Sequence, residues 1–349
     1  MQPCRPSPGL GKVNDALGAR PEDGADDPMC LVHTHEAADA RPRRRALSHG
    51  PGAILASLMV LVSAAPALAW EGASAPGSAP PAAEGRADRV PPKPVRVERD
   101  LSYGPRGSQK LDLYLPPGRP PAAGPGGRTA IVLVHGGAWS GFGKEAYDMP
   151  PGGPVAPRIA GRLAARGFVV AAIDYTHGNI PAQVGDVRRA LAWMRSSAGR
   201  LGVDPRHTVA WGDSAGGQLA LMAAINRWAG AAVAWGAPTD LRSIARRLPP
   251  GHLEAVVRCA IGTCPRRWSA LSPLSGARRL RVPVLLVNCR DDPIVQLAES
   301  ALPMRAANPA QVRVKVLPAF GHAYMPQAFA PSVAFVRGLW RERAPARDR

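Results

Sequence analysis

The sequence, 349 residues long, lacks the patterns that usually hold metal ions and phosphate groups. After residue 69, its histidines and cysteines never occur at the His-x-x-x-His or Cys-x-x-Cys spacings typical of metal ligands. The glycine-rich stretches 124–127 and 152–153 lack the Lys-Ser or Lys-Thr pair of a phosphate-binding loop. We therefore expect no metal and no other cofactor.

Aromatic residues are also scarce, at 5% of the chain, whereas positive charge is abundant. The formal net charge is +18, and arginine supplies nearly all of the basic residues. Such a balance is typical of nucleic-acid-binding proteins. Here, however, the arginines are scattered and no aromatic-rich platform for single strands is present. We expect no nucleic-acid partner.

The apolar run at residues 53–65 is too short to span a bilayer comfortably. Basic residues at 41–45 precede it, and Ala67–Ala69 follows with the small-x-small pattern of a signal-peptidase site. We predict that residues 1–69 are an N-terminal extension with a signal peptide, and that the mature chain begins at Trp70. The protein would then be exported, either to the periplasm or as a secreted protein, with no membrane span after cleavage. A retained membrane anchor is the alternative.

Composition changes again downstream of this segment. Residues 70–94 are rich in alanine, proline and glycine, which indicates a linker. Residues 95–343 alternate short apolar runs with amphipathic stretches, and residues 344–349 form a basic tail. The alternation predicts one domain of the α/β class, with a mostly parallel central sheet flanked by helices. Nothing in the sequence indicates an oligomeric state.

Eight strands and five helices are predicted in this domain. The strands cover Val95–Tyr103, Lys110–Leu115, Ala130–His135, Val169–Tyr175, Thr208–Asp213, Ala231–Trp235, Val284–Cys289 and Val312–Val316. The helices cover Val155–Arg166, Gln183–Leu201, Ala215–Trp228, Val295–Ala306 and Pro326–Arg343. The first two strands adjoin without a helix, which predicts an antiparallel N-terminal edge.

Residues 240–280 interrupt the alternation, and we expect a loop-rich insertion there. The insertion contains two cysteines close in sequence, Cys259 and Cys264. An oxidising compartment favours their pairing as a disulfide. Cys289, inside an apolar run, is expected to be a buried thiol.

The strongest functional signal is the run Gly212–Gly216 (GDSAG), which lies between a predicted strand and a predicted helix. A serine at such a sharp turn is held in a strained backbone conformation that exposes its hydroxyl, and flanking glycines avoid clashes. The N-terminus of the following helix favours developing negative charge. We predict that Ser214 is a nucleophile rather than a surface serine in a glycine-rich turn.

A serine hydroxyl needs a base to take its proton. With this type of turn, the orienting acid and then the base follow the nucleophile along the chain. The histidines after Ser214 are His252 and His322. His322 follows a predicted strand and precedes the last helix, so we predict that it is the base and that His252 is a surface histidine.

The acid is expected after the strand that ends at Cys289, where Asp291 and Asp292 are adjacent. Neighbouring carboxylates in a loop point in different directions, so only one can face the base. We predict Asp292, because Pro293 and the start of a helix restrain its backbone. Asp291 stays open as the alternative, and Asp240, expected to cap the insertion, is a weaker third candidate.

The second functional signal is the run His135–Trp139 (HGGAW), directly after a predicted strand. Paired glycines let backbone N–H groups turn toward a carbonyl oxygen that gains negative charge during acyl transfer. We predict an oxyanion hole made by the N–H groups of Gly136, Gly137 and Ala215. His135 is interpreted as a hydrogen-bonded brace rather than a base.

Together, HGGAW, GDSAGG, the Asp291-Asp292 loop and Gly321-His322 resemble the α/β-hydrolase superfamily, in its esterase/lipase branch. That branch includes hormone-sensitive-lipase-like carboxylesterases, feruloyl-esterase-like enzymes and arylformamidases. The resemblance covers residues 95–343 and implies the α/β-hydrolase fold with the triad and oxyanion donors named above. HGGAW in place of HGGG favours the latter two groups, whereas Asp213 favours the first, so the subfamily stays open.

The resemblance implies a serine carboxylesterase that cleaves a small-molecule ester through an acyl-enzyme intermediate. One alternative is an amide hydrolase with the same machinery, such as an arylformamidase or a peptidase. The other is a binding protein on a hydrolase scaffold, against which the intact Ser-Asp-His order argues. The acyl and alcohol groups of the substrate stay open.

Overall fold

A computed structural model of the chain describes residues 94–148, 158–318, 321–322 and 326–340. The predicted signal peptide and its extension, residues 70–93 of the predicted linker, and the basic tail all lie outside the described residues. The domain boundaries predicted for those segments stay predictions.

The described part of the chain contains eight strands in one sheet, in the order β1-β2-β4-β3-β5-β6-β7-β8. Their bounds are Arg96–Ser102 (β1), Lys110–Leu115 (β2), Arg128–Val134 (β3), Val169–Ile173 (β4), Val203–Asp213 (β5), Ala231–Trp235 (β6), Val284–Cys289 (β7) and Val312–Leu317 (β8). β1 pairs with β2, and β2 with β4, in antiparallel fashion, and all later pairs are parallel. The predicted fold class and its antiparallel edge are confirmed.

Ten α-helices flank this sheet in the described residues. They are Ile159–Ala164 (α1), Ile180–Ser196 (α2), Ala198–Leu201 (α3), Ser214–Ile225 (α4), Leu241–Ile244 (α5), His252–Val257 (α6), Pro265–Leu271 (α7), Pro273–Gly276 (α8), Ala301–Ala307 (α9) and Phe329–Gly338 (α10). None of these is both long enough and apolar enough to cross a membrane.

The sheet is buried on both faces because its central strands are apolar on both sides. In β3, Val132 and Val134 pack into the core beneath α2 and α4, whereas Ile131 and Leu133 pack into the opposite core with α1 and α10. The strands from β3 onward run parallel, so their carboxyl ends meet at one edge of the sheet. The loops that follow β3, β5, β7 and β8 at this edge carry the predicted site residues.

Several predicted helix bounds differ from the structure. The helix predicted from Gln183 begins at Ile180, because the Asn179 side chain accepts a hydrogen bond from the Ala182 N–H and Pro181 occupies the first turn. It also breaks at Ser197 into α2 and α3. The helix predicted from Val295 begins only at Ala301, after a 3-10 turn at Leu297–Glu299.

The insertion, residues 240–280, was expected to be rich in loops but contains four short helices, α5 to α8, with 3-10 turns directly after α5 and after α8. Each helix has only four to seven residues, too few to show a helical period in sequence. Their apolar side chains, including Leu253, Val256 and Trp268, pack into the same core as α2 and α4. Cys259 and Cys264 form a disulfide between α6 and α7, with Cα atoms 6.2 Å apart, and this is the pair that the sequence nominated.

Candidate active site

Ser214 occupies the sharp turn between β5 and α4. Its φ is +48°, in the left-handed region that side-chain-bearing residues rarely adopt. The flanking glycines permit this turn, since a Cβ on Gly216 would overlap the Val134 carbonyl and one on Gly212 would overlap the backbone of Gly216. The local geometry is thus the strained, hydroxyl-exposing turn that the GDSAG pattern predicts.

His322 contacts both Ser214 and Asp292. Its Nε2 lies 2.8 Å from Ser214 Oγ, and its Nδ1 lies 2.8 Å from Asp292 Oδ2. If Nδ1 carries the proton and donates to the carboxylate, Nε2 is left with a lone pair facing the serine hydroxyl. The structure therefore brings together the three residues that the sequence predicts, with the imidazole between the serine hydroxyl and the carboxylate. In this order an imidazole can take the serine proton while the carboxylate orients the ring.

The two adjacent aspartates hold different parts of this arrangement. Asp292 is buried, and its Oδ1 accepts hydrogen bonds from the N–H groups of Ile294 and Val295 at 2.9 and 2.8 Å, which leaves Oδ2 for His322. Asp291 is exposed, and its Oδ1 accepts a hydrogen bond from the Gly321 N–H at 3.2 Å. Asp292 therefore contacts the imidazole itself, whereas Asp291 contacts the loop just before it. Asp240, the third candidate, caps α5 through the Arg242 N–H.

The oxyanion loop, which we define as residues 135–142, leaves β3 beside the serine turn. Gly137 has φ of +104°, and its carbonyl accepts hydrogen bonds from the Ser140 and Gly141 N–H groups at 3.0 and 2.8 Å. Ala138 and Trp139 follow with φ of +49° and +63°. A Cβ on Gly137 would overlap the Gly141 carbonyl, so the tight turn requires glycine there.

Asp213 lies between the serine turn and the oxyanion loop. Burial raises the pKa of Asp213, and hydrogen bonds from the Tyr147 hydroxyl and the Gly136 N–H partly offset that rise. The Gly136 N–H is therefore engaged with Asp213 within the protein. The three-donor oxyanion hole stays a prediction.

His135 is fully buried at the base of the oxyanion loop. Its Nδ1 lies 2.8 Å from the Gly136 carbonyl oxygen, and its ring stacks on Tyr175 with centroids 4.1 Å apart. Burial lowers the pKa of His135 to about 3, so the ring is neutral at physiological pH. Its position agrees with a brace and leaves it no contact with Ser214 among the described residues.

Two buried glutamines hold Trp139 and were missed in the sequence. Gln183 on α2 donates to the Trp139 carbonyl at 2.7 Å, and Gln218 on α4 accepts from the Trp139 indole N–H at 3.0 Å. Both side chains are completely buried. A signal for Gln218 was available, because it is a polar residue inside the apolar run of α4 (GQLALMAAI).

The interpretation of His252 as a surface histidine is wrong. His252 is the first residue of α6 and is half-buried, with Nε2 lying 2.8 Å from the Ala138 carbonyl oxygen. The sequence could not show this contact, because the two residues are far apart in the chain and α6 is too short to predict. His252 thus joins the insertion to the oxyanion loop.

No cluster of three His, Cys, Asp or Glu side chains suited to a metal ion occurs in the part of the chain that the structure describes. The residues that meet at the site are a serine hydroxyl, an imidazole and a buried carboxylate.

Comparison with known proteins gives one family match, to BD-FAE over residues 111–305, which is more than half of the chain. The chain is also similar to esterase LipQ of Mycobacterium tuberculosis (strain ATCC 25618 / H37Rv). The two are 29% identical over 250 residues, which cover 64% of this chain and 56% of LipQ. The chain therefore spans little more than half the length of this curated relative.

Solved structures share the fold at lower sequence identity. Esterase 2 of Thermogutta terrifontis, phosphoramylated by tabun, is 23% identical with a TM-score of 0.54, over 71% of this chain and 95% of that one. Esterase B of Lactobacillus rhamnosis (HN001) is 18% identical with a TM-score of 0.58, over 72% of this chain and 86% of that one. At these identities, the likeness establishes the fold alone.

Proposed function

The chain belongs to the BD-FAE family, and on that footing we propose that it is a serine carboxylesterase, which cleaves small-molecule carboxylic esters through an acyl-enzyme intermediate. One observation carries the proposal. Two hydrogen bonds of 2.8 Å each link Ser214 Oγ to His322 and His322 to the buried Asp292, at a serine with φ of +48°. The similarity to a protein named as an esterase supports the same reaction class.

In the first half of the proposed reaction, His322 Nε2 takes the proton of Ser214 as Oγ attacks the ester carbonyl. The carbonyl oxygen gains a negative charge, which the N–H groups of Gly137 and Ala215 receive near the start of α4. Collapse of this intermediate breaks the bond to the alcohol oxygen. His322 returns its proton to that oxygen, and the acyl group stays on Ser214.

In the second half, water replaces the alcohol. His322 takes a proton from the water as its oxygen attacks the acyl group, and collapse releases the carboxylic acid and restores the Ser214 hydroxyl. Asp292 holds the imidazole in one orientation throughout and stabilises its positive charge in both halves. The two backbone N–H groups that bind Asp292 Oδ1 hold the carboxylate itself in place.

A fluorophosphonate probe tests the proposal, because it reacts readily with an activated serine and hardly at all with an ordinary serine hydroxyl. We expect covalent labelling of the full chain at Ser214, located by peptide mass spectrometry, and turnover of p-nitrophenyl acetate. Ser214→Ala should lose both while keeping its circular dichroism spectrum. A folded parent chain that shows neither labelling nor turnover would overturn the esterase and favour a binding protein on this scaffold. Rates for p-nitrophenyl esters of increasing chain length then define the acyl group.

We also propose that the protein acts outside the cytoplasm. The order of basic, apolar and Ala-x-Ala segments before Trp70 supports export. The Cys259–Cys264 disulfide agrees with this location, because such bonds persist mainly in oxidising compartments.

A further inference from the structure

The insertion contacts the oxyanion loop at a position that the proposed reaction leaves without a role. His252 Nε2 lies 2.8 Å from the Ala138 carbonyl oxygen, and Ala138 is in the middle of the loop. A carbonyl only accepts hydrogen bonds, so His252 is the donor and its Nε2 carries the proton. Because its Nε2 proton is donated to this carbonyl, His252 takes no part in proton transfer from Ser214. Any effect of His252 on the reaction therefore acts through the loop.

The oxyanion loop has a conformation that needs such support. Ala138, Trp139 and Phe142 all have positive φ, at +49°, +63° and +61°. Residues with a Cβ avoid this region, and several of them in one loop persist only where the surroundings hold them there. Contacts to the loop therefore decide whether its N–H groups stay aimed at the site.

A second route leads from the insertion to the same loop. The Gln218 side chain accepts from the Trp139 indole N–H at 3.0 Å and donates to the Leu271 carbonyl at 2.8 Å. Leu271 is the last residue of α7, so α7 contacts the loop through Gln218. Helices α6 and α7 thus reach neighbouring residues of one loop, Ala138 and Trp139.

The disulfide joins these two helices. Cys259 lies just past the end of α6, where its N–H donates to the Glu254 carbonyl, and Cys264 directly precedes the first residue of α7. The bond between them therefore fixes the spacing of the two elements that hold the loop.

We propose that α6, the Cys259–Cys264 disulfide and α7 form a clamp that holds the oxyanion loop in its working conformation, with His252 as a positioning residue. The consequence for catalysis rests on the proposed esterase function, whereas the consequence for loop order does not. The clamp acts on the developing oxyanion, so it should govern kcat more than KM.

Kinetics of three variants test the catalytic consequence. His252→Ala should lower kcat for p-nitrophenyl acetate by about 30-fold, less than the loss of a whole oxyanion donor, with KM within about threefold of the parent. His252→Gln places an amide donor at a similar reach and should recover most of the rate. His207→Ala is the matched control, because His207 is also half-buried and stacks on Trp340, with ring centroids 4.4 Å apart, near the other end of β5. It should leave kcat unchanged.

Affinity for a trifluoromethyl ketone separates positioning from a general structural effect. Ser214 Oγ adds to the carbonyl of this inhibitor, and the product carries an oxyanion like that of the reaction intermediate. His252→Ala should therefore weaken inhibitor binding by about the same factor by which it lowers kcat/KM. Equal kcat in His252→Ala and His207→Ala, or a change confined to KM, would overturn the catalytic role.

Hydrogen–deuterium exchange tests the clamp without any activity. The Ser140 and Gly141 amides donate to the Gly137 carbonyl and report on loop order. In the full chain, His252→Ala should speed their exchange by about tenfold, whereas His207→Ala should not. Unchanged exchange in His252→Ala would overturn the clamp. Faster exchange in a chain whose parent shows no Ser214 labelling would leave the clamp standing and overturn the esterase.

The disulfide is tested by a double-mutant cycle. Replacing Cys259 and Cys264 with serine should lower kcat by about tenfold in the parent and by clearly less in His252→Ala, because both changes release the same loop. Full activity of the disulfide-free chain, with thermal unfolding showing it folded, would remove the disulfide from the clamp.

Discussion

Asp291 and Asp292 show how one position along the chain changes what a carboxylate contacts. Both follow β7, but Asp292 faces inward to His322 Nδ1, whereas Asp291 faces outward to the Gly321 N–H. The sequence placed the acid in this pair and favoured Asp292, but it could not separate them by pattern. The separation depends on side-chain direction, which only the folded loop defines.

This asymmetry predicts unequal effects of the same substitution. Asp292→Asn should lower kcat for p-nitrophenyl acetate by about ten-thousand-fold, because the imidazole loses the partner that orients it and stabilises its charge. Asp291→Asn keeps an oxygen able to accept from the Gly321 N–H and should cost less than about tenfold. Steady-state rates on folded variants check both values. A larger loss for Asp291→Asn would show that the acid is assigned one residue too late.

His135 predicts a dependence of stability on pH. Its pKa is about 3 in the folded chain and 6.5 in the unfolded one, so below pH 6.5 the unfolded state binds a proton that the folded state does not. Above pH 6.5, His135 is neutral in both states and does not lower the free energy of unfolding. As the pH falls from 6.5 toward 3, only the unfolded state gains the proton, so the free energy of unfolding falls. Between pH 7 and pH 5, this one group should cost about 2 kcal/mol of unfolding free energy.

His135→Phe isolates that contribution, because phenylalanine can keep the stack on Tyr175 but cannot titrate. Urea unfolding at pH 7 and pH 5 should show a smaller loss of stability in the variant than in the parent, by about 2 kcal/mol. Equal losses in the two proteins would contradict a buried, neutral His135.

At the scale of elements, the length and burial of a strand or helix decide whether it could be predicted from the sequence. Strands β2 to β8 were predicted because their apolar residues, in continuous or alternating runs, are covered on one or both faces. β1 differs, since it is mostly polar and has no buried residue. The helices of the insertion were missed because each is shorter than two full turns and is held by long-range packing. The same applies to His252, whose contact with Ala138 exists only because α6 packs where it does.

Two polar residues directly precede helices, and only one of them makes a side-chain capping hydrogen bond. Asn179 precedes α2 and accepts from the Ala182 N–H at 3.1 Å, whereas Ser197 precedes α3 and makes no side-chain capping bond. Asn179→Ala should therefore destabilise the protein by about 1 kcal/mol, and lower the unfolding midpoint by about 2–4 °C. Ser197→Ala should have little effect. Calorimetry of both variants decides, and equal shifts would show that the Asn179 cap does not stabilise α2.

At the scale of the whole molecule, the sequence could place the candidate site at one edge of the sheet, because the strand order brings the predicted residues together there. The parallel strands β3, β5, β7 and β8 end at one edge, so residues spread from Gly136 to His322 in the chain come together there. The fold and the triad could therefore be predicted from motifs and strand ends. The supports of the oxyanion loop were harder to predict: Gln218 stands out only as a polar residue in an apolar run, and the contact partners of Gln183 and Gln218 are defined only in the folded chain.

Export of the protein from the cytoplasm is a prediction that concerns the whole molecule. If export and cleavage occur as proposed, chains recovered from the periplasm or medium of the native host should begin at Trp70 by N-terminal sequencing. Non-reducing peptide mapping of the same material should show Cys259 linked to Cys264, because an oxidising compartment maintains the bond.

Replacing Ala67 and Ala69 with arginine should block cleavage, and the uncleaved chain should then collect in the membrane fraction. A parent chain in that fraction with an intact N-terminus would instead indicate a retained anchor, and one in the cytosol with both thiols reduced would contradict export.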